Sequence, residues 1–159
     1  KKAFDFDGDN DYISIPDSND LDFTDKLTFM TWIKRDSHNV DYARIIGKDD
    51  NSSYVWDFDN SKPAKLRFEA FDSIGSYNSN SGVPTSTWHH VAVTYSHSAN
   101  ELKFYIDGEL DATKTTSGGP LATDNNPLEI SGQGSDSNHQ GDIDGSMDDL
   151  ALFDRVLSG

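Results

Sequence analysis

Hydrophobic alternation with a period of two recurs along this chain from end to end, and no stretch of helical length carries a sustained 3.6-residue pattern. A chain written this way buries its apolar groups by pairing strands. The strongest run is Trp88-His89-His90-Val91-Ala92-Val93-Thr94-Tyr95, dense in β-branched and aromatic residues. Ser98-Ala99-Asn100 turns it into Glu101 to Ile106. Asp107-Gly108 then closes a hairpin with Glu109 to Thr113, because a type I′ turn needs positive φ at both central residues and Asp-Gly supplies them. Leu27 to Lys34 places Leu27, Phe29, Thr31 and Ile33 on one face and Thr28, Met30, Trp32 and Lys34 on the other. With large apolar groups on both faces it reads as a central strand. Phe4 to Phe6, Tyr12 to Ile15, Arg44 to Gly47, Tyr54 to Phe58, Lys65 to Ala70, Leu128 to Ser131 and Ser146 to Phe153 complete the set. About ten short strands in one chain of this length predict an all-β fold of two packed antiparallel sheets, without internal repeat or second domain. Phe29 or Met30, Trp32, Trp88, Val91, Val93, Phe104 and Ile106 are the expected core.

Charge narrows the partners. Lys and Arg number 13 against 28 Asp and Glu, a net charge of −15 that disfavours nucleic acid and anionic membrane. Only Glu69, Glu101, Glu109 and Glu129 are glutamates; the other acids are aspartates, which favour turns and metal loops, so the charge lies mostly in loops. Solubility or a salty habitat is the plain explanation for much of it. With no cysteine, disulfides and thiolate chemistry drop out, and any metal ligand must be oxygen or histidine. No apolar run reaches membrane-span length, and Lys1-Lys2-Ala3 is not a signal peptide, so the expectation is a domain excised from a larger protein.

Two acidic stretches centred on glycine stand near the ends: Asp5-Phe6-Asp7-Gly8-Asp9-Asn10-Asp11 and Asp142-Ile143-Asp144-Gly145-Ser146-Met147-Asp148-Asp149. Like charges this close repel unless they sit in water or share a cation, and a hard, oxygen-seeking ion such as Ca²⁺ suits irregular carboxylate loops. An EF-hand is excluded. Starting the loop at Asp5 puts Asn10 at the sharp-turn glycine and Pro16 at the bidentate glutamate; starting at Asp7 puts Tyr12 and Ser18 there. What remains is a composite site, or Asx-turn residues on solvated loops. His89 and His90 are adjacent on a strand and point to opposite faces, so they read as structural; His38, His97 and His139 have no partner at ligand spacing.

The ordered pieces "AFDFDGDNDYISIPDS", "LTFMTWIK", "IIGK" at 45 to 48, "TSTWHHVAVTY", "LKFYIDGEL", "PLEISG" and "GSMDDLALFDRVLS" resemble the laminin G-like, concanavalin A-like jelly-roll family in its short bacterial form. The resemblance covers nearly all of residues 1–159, taken as one laminin G-like domain. It implies a sandwich of two curved antiparallel sheets, with the first and last strands side by side and a structural Ca²⁺ near their junction. Asp7 and Asp148 are then the side-chain ligands, with Asp9, Asn10 or Asp11 and loop carbonyls such as that of Gly8 completing the shell. It also implies an extracellular or cell-surface module appended to a larger protein. Two departures stand out: the family usually continues past the final Leu-Ser, and the loops around 54 to 56 and 132 to 141 carry no alignable motif.

Function divides three ways. The leading expectation is a non-catalytic, Ca²⁺-stabilised module that binds carbohydrate or another cell-surface ligand. The second is a structural or protein-binding adhesin module without sugar affinity. The third, a glycan-active enzyme, lacks the alternating Glu-x-Asp-x-Glu strand of glycoside hydrolases on this fold. Its nearest substitute is Asp57-Phe58-Asp59, read as a solvated edge. Sugar sites use exposed aromatic rings beside Asp and Asn acceptors. Trp32 and Trp88 align with core positions of the family, which leaves Tyr54, Trp56 and Tyr77 as candidates. Tyr54 and Trp56 share a face with Phe58 that equally suits the inner layer of the sandwich, while Tyr77, between Ser76 and Asn78, is expected to be exposed.

Overall fold

The computed structural model describes residues 2–37, 42–48, 53–132 and 141–158. Its strands are β1 (Phe4–Asp7), β2 (Ile13–Ile15), β3 (Lys26–Arg35), β4 (Arg44–Gly47), β5 (Val55–Phe58), β6 (Lys65–Ala70), β7 (Gly75–Gly82), β8 (His89–Ser96), β9 (Glu101–Ile106), β10 (Glu109–Thr115), β11 (Leu128–Ile130) and β12 (Asp144–Phe153). They form two six-stranded sheets, ordered β1-β12-β3-β8-β9-β10 and β2-β11-β4-β5-β6-β7, and every pairing is antiparallel. This is the expected all-β jelly-roll sandwich. The one helical element among the described residues is a 3-10 turn, Asn19–Leu21, capped by the Ser18 side chain.

Period-two patterning builds the core. Leu27, Phe29 and Ile33 of β3, Val91, Val93 and Tyr95 of β8, and Leu102 and Phe104 of β9 face Ile46, Trp56, Phe58, Leu66 and Phe68 of the second sheet, and all are buried. The hairpin at Asp107-Gly108 forms as expected, with φ of 53° and 82°. The end strands also adjoin as expected, Phe4 to Asp7 pairing with Met147 back to Asp144. At the far edge, Asp111 sits at a bulge in β10 and accepts hydrogen bonds from the Asn80 and Ser81 amides of β7 at 2.6 and 3.1 Å, which ties the two sheets together.

Two corrections belong to the core. Trp32 and Trp88 are each 42% exposed. Ile106 is half-buried, and of the pair Phe29 or Met30 it is Phe29 that lies in the core. Trp32 shares its parity with Lys26, Met30 and Lys34, and that set faces outward; Leu27, Phe29, Thr31 and Ile33 face the core. Trp88 precedes β8 in register with His90, Ala92 and Thr94, whose small and polar side chains mark the outer face. Strand β7 is an addition to the expected set: Gly75-Ser-Tyr-Asn-Ser-Asn-Ser-Gly82 has no β-branched residue, and pairing with β6 makes it a strand.

Loops are fixed by a buried cation. Lys48, its side chain wholly covered, donates to Asp17 at 2.6 Å, to Asp22 at 2.7 Å and to the Asp124 carbonyl at 3.1 Å, joining three separate segments. Burial opposes its charge, and the two carboxylate hydrogen bonds outweigh that, so its pKa lies above the ordinary lysine value.

Candidate functional site

The acidic junction forms where β1 ends beside the start of β12. Asp7 pairs with Asp144 and Asp5 with Ser146, whose hydroxyl donates to Asp5 at 2.9 Å. Gly8, at φ 78°, turns the chain there, and a Cβ on it would meet the Asp144 Cβ at 2.9 Å. The loop folds onto its own carboxylates: Asp9 N–H donates to Asp7, Asp7 N–H to Asp11, and Asn10 N–H to Asp142 at 2.7 Å. Asp142 is buried beside Gly132, where a Cβ would collide with its Oδ1. Arg35, buried with its guanidinium 4.2 Å over the Phe58 ring, has its pKa pulled down to about 10 by burial against the opposing charges of Asp59 and Asp144.

The structure thus brings Asp7, Gly8, Asp9, Asn10 and Asp11 together with Asp142 and Asp144. It does not bring Asp148 to them. Asp148 pairs with Trp32, four residues beyond Asp144 along β12, a separation of about 13 Å at the rise of a strand. The donor set is all oxygen, which suits a hard cation. Among the described residues, however, no three His, Asp or Glu side chains converge as metal ligands. The carboxylates of Asp7, Asp11 and Asp142 each accept one backbone N–H, which leaves lone pairs on both of their oxygens for a cation.

Of the aromatic candidates, Tyr54 and Trp56 are fully buried. Tyr54 packs against Phe23 and Phe29, its hydroxyl donates to the Leu21 carbonyl at 2.9 Å, and burial pushes its pKa up. Trp56 lies in the core with its indole N–H unpartnered. Tyr77 is half-buried opposite Phe68 and packs on the core. None of the three is a surface platform. The face that Tyr54 and Trp56 share with Phe58 is the inner layer of the sandwich, the alternative the sequence already offered, whereas Tyr77, expected to be exposed, packs on the core instead.

The exposed aromatic surface lies instead on the outer face of the first sheet. Trp32, Trp88, Asp148 and Asp149 line a depression of about 310 Å³, at the small end of ligand pockets. Three neighbouring strands build it. Asp148 of β12, Trp32 of β3 and His90 of β8 lie in one cross-strand row, with the Trp32 and His90 ring centroids 5.5 Å apart and tilted 63°. Trp88 stands diagonal to Trp32, within reach of a long side chain. A bulge in β12 between Asp148 and Ala151 puts Asp149 at φ 53°, and its N–H donates to the Asp148 carboxylate at 2.9 Å. Trp88 is flanked by a hydrogen-bonded chain in which His89 meets the Thr87 hydroxyl at 2.9 Å and Asp107 at 2.8 Å. Farther along this face the C-terminal segment lies on Thr28, which donates to the Arg155 carbonyl and accepts from the Leu157 amide.

A paired-carboxylate active site finds no support at Asp57 and Asp59. The solvated edge expected there is an interior strand, and both residues are buried. Arg67 of the neighbouring strand grips Asp57 with two nitrogens and reaches Glu69 with a third, while the Tyr42 ring lies 4.4 Å from its Cζ. Burial pushes the Asp57 carboxyl up to about 6, against the pull of Arg67. Asp59 is occupied by the Ser61 hydroxyl, two backbone amides and Asn78. His38, His139 and most of the loop from Gly132 to Gly141 lie outside the described residues. Among the described residues no helix is long and apolar enough to cross a membrane.

Two packed six-stranded antiparallel sheets define the class as a jelly-roll β-sandwich. The chain belongs to the concanavalin A-like lectin/glucanases superfamily, whose laminin G-like family model matches residues 7–159. A comparison with curated proteins found no match. Among solved structures it is similar to a candidate carbohydrate-binding protein from Bacteroides ovatus, with 18% identity and a TM-score of 0.81 over 98% of this chain and 44% of that one. This chain therefore spans less than half of that protein. It is also similar to the CBM40 of the Ruminococcus gnavus IT-sialidase bound to α2,3-sialyllactose (14% identity, TM-score 0.76, 99% of this chain and 92% of that one). A third is domain 4 of AbnA, an extracellular GH43 arabinanase of Geobacillus stearothermophilus, in complex with arabinotriose (17% identity, TM-score 0.71, 98% and 72%).

Proposed function

We propose that this chain is a non-catalytic carbohydrate-binding module that works outside the cell or at its surface, attached to further domains. The observation that carries the reading is the pair of exposed indoles, Trp32 and Trp88, over Asp148 and Asp149. Indole faces stack on the C–H faces of sugar rings, and carboxylates accept hydroxyl hydrogen bonds. Solved relatives of the same fold hold sialyllactose and arabinotriose, and one belongs to an extracellular enzyme. Non-catalytic action is favoured because Asp57 and Asp59 are both engaged structurally.

Calcium, on this reading, is structural and sits at the acidic junction, where the carboxylates of Asp7, Asp9, Asp11, Asp142 and Asp144, no three of which converge as ligands in the structure, would have to close around it. It would fasten β1 to β12, neutralise that corner and supply no chemistry to the sugar site. Asp148 belongs to the depression. Titration of soluble glycans, followed by tryptophan fluorescence in Ca²⁺ and in chelator, tests both parts. Trp32→Ala should abolish saturable binding while the fold is retained, and chelation should lower the melting temperature by several degrees, with Mg²⁺ a poor substitute. Failure of every glycan to bind in either condition refutes the carbohydrate reading; a melting temperature indifferent to chelator refutes the calcium one.

A further inference from the structure

We infer that the glycan site continues from the indoles into a neighbouring pocket that takes an acetamido group, which makes N-acetylated sugars its preferred ligands; the inference rests on the carbohydrate reading above. The pocket has a volume of about 140 Å³ and lies on the same outer face of the first sheet. Met30, Ala92 and Tyr105 form one cross-strand row along it, and Leu157 of the C-terminal segment lines it as well. Ala92 opens the space, since a longer side chain between Met30 and Tyr105 would fill it. The Thr28 hydroxyl donates to the Arg155 carbonyl and accepts from the Leu157 amide, which fixes the segment and engages that hydroxyl. Among the described residues no Asp, Glu, Lys or Arg lines the pocket. An aliphatic cavity of about 150 Å³ stays dry and takes a benzene-sized apolar guest. A whole sugar ring would leave most of its hydroxyls unpaired in such a place, and a methyl group loses nothing there.

His90 joins the two places. It lines the pocket, and its ring centroid is 5.5 Å from that of Trp32. On β8, Trp88 precedes His90 and Ala92 follows it, so the second indole and the pocket flank the Trp32 row on opposite sides. Trp32 and Met30 are two residues apart on one face of β3, about 7 Å at the rise of a strand. An acetamido group is a trans amide, so its methyl stands about 3.8 Å beyond the ring carbon that carries it. A sugar ring stacked on Trp32, with that arm turned toward Met30, brings the methyl to the pocket. Tyr105 and His90 carry groups able to hydrogen-bond the amide. One methyl withdrawn from water and one amide hydrogen bond favour the acetamido sugar over its hydroxyl analogue by about tenfold, or about 1.4 kcal/mol.

The test is calorimetric and fluorescence titration of the intact chain at pH 7 with matched glycans: chitotriose against cellotriose, and N-acetyllactosamine against lactose. α2,3-sialyllactose against lactose asks whether the acetamido group comes from a sialic acid instead of a hexosamine. In at least one comparison the N-acetylated member should bind at least about tenfold tighter. Saturation transferred from the protein should fall most strongly on its acetyl methyl protons. Ala92→Leu, its fold checked by melting, should cut the gain below about threefold and keep the affinity for the unacetylated member. A gain in the first two comparisons assigns the group to a hexosamine, and a gain with sialyllactose alone assigns it to a sialic acid. N-acetylated glycans that bind no tighter than their partners, a gain that survives Ala92→Leu, or an acetyl methyl less saturated than the ring protons each overturn the inference and leave carbohydrate binding standing. Absence of binding by every glycan overturns it together with the reading on which it rests.

Discussion

Replacing Trp88 and Trp56 separately by alanine sets the outer face of the first sheet against the inner face of the second. An extended tryptophan presents about 250 Å². At 42% exposure, Trp88 withdraws roughly 145 Å² of that from water, and an alanine in its place would forfeit about 100 Å². At about 25 cal/mol per Å², trimmed for residual burial in the unfolded chain, the loss is about 2 kcal/mol. No cavity forms, because solvent already lies on one side of the indole. Trp56 is 0% exposed, so its removal adds a cavity and costs about 3–5 kcal/mol. Urea titration resolves the two. Binding should divide the other way: Trp88→Ala loses glycan affinity by roughly 30-fold, as a hot-spot aromatic would, while any folded Trp56→Ala protein keeps it. Acrylamide quenching of the native chain should reach Trp32 and Trp88 and spare Trp56. A Trp88→Ala variant as unstable as Trp56→Ala, or one that binds normally, would refute the assignment of the two faces.

Lys48→Met should cost about 3–5 kcal/mol, on the order of 10 °C in melting temperature, because it leaves Asp17 and Asp22 facing each other without their ammonium group. Adding D17N and D22N should recover part of that loss, and a Lys48→Met variant within about 1 kcal/mol of wild type would mean the cluster does not hold these loops. For Asp57 the sign is that of a carboxyl raised in the folded state. The native chain binds the extra proton between the ordinary value and about 6, so stability falls as pH rises through that window. Denaturation at pH 4.5 and 7 should show the wild type losing more stability over that interval than Asp57→Asn does.

Local signals carried most of the fold. Asp107-Gly108 is a dipeptide that tight hairpin turns favour, and Leu27 to Lys34 declared a central strand through apolar groups at both parities. Where pairing decides, the sequence was silent: β7 is a strand because β6 lies beside it, and β1 and β2, neighbours along the chain, enter different sheets across the loop between them. Facing direction was legible in a signal that the family alignment masked. Lys26 and Lys34 share the parity of Trp32, and strands rarely point lysines inward. Alignment placed Trp32 in the core, whereas the lysine pattern marked its face as solvated.

The stretch from Asp142 to Asp149 looks like one acidic cluster because a sequence measures distance in residues. A strand measures it at about 3.3 Å per residue, and alternate residues share a face. Asp144, Ser146 and Asp148 therefore stand in line along one side of β12, and each meets a different neighbour: Asp7, Asp5 and Trp32. The run divides into Asp142 and Asp144 at the junction with β1, and Asp148 and Asp149 beside the indoles. The glycine in the middle serves the division, since a Cβ on Gly145 would strike the Lys34 carbonyl and part β12 from β3. Neutralising Asp142 or Asp144 should consequently alter stability and its response to Ca²⁺, and neutralising Asp148 should alter glycan affinity. Melting curves with and without chelator, set beside glycan titrations of the same variants, check the division; an Asp148→Asn protein that loses its Ca²⁺ response and keeps its affinity would put the run back together as one site.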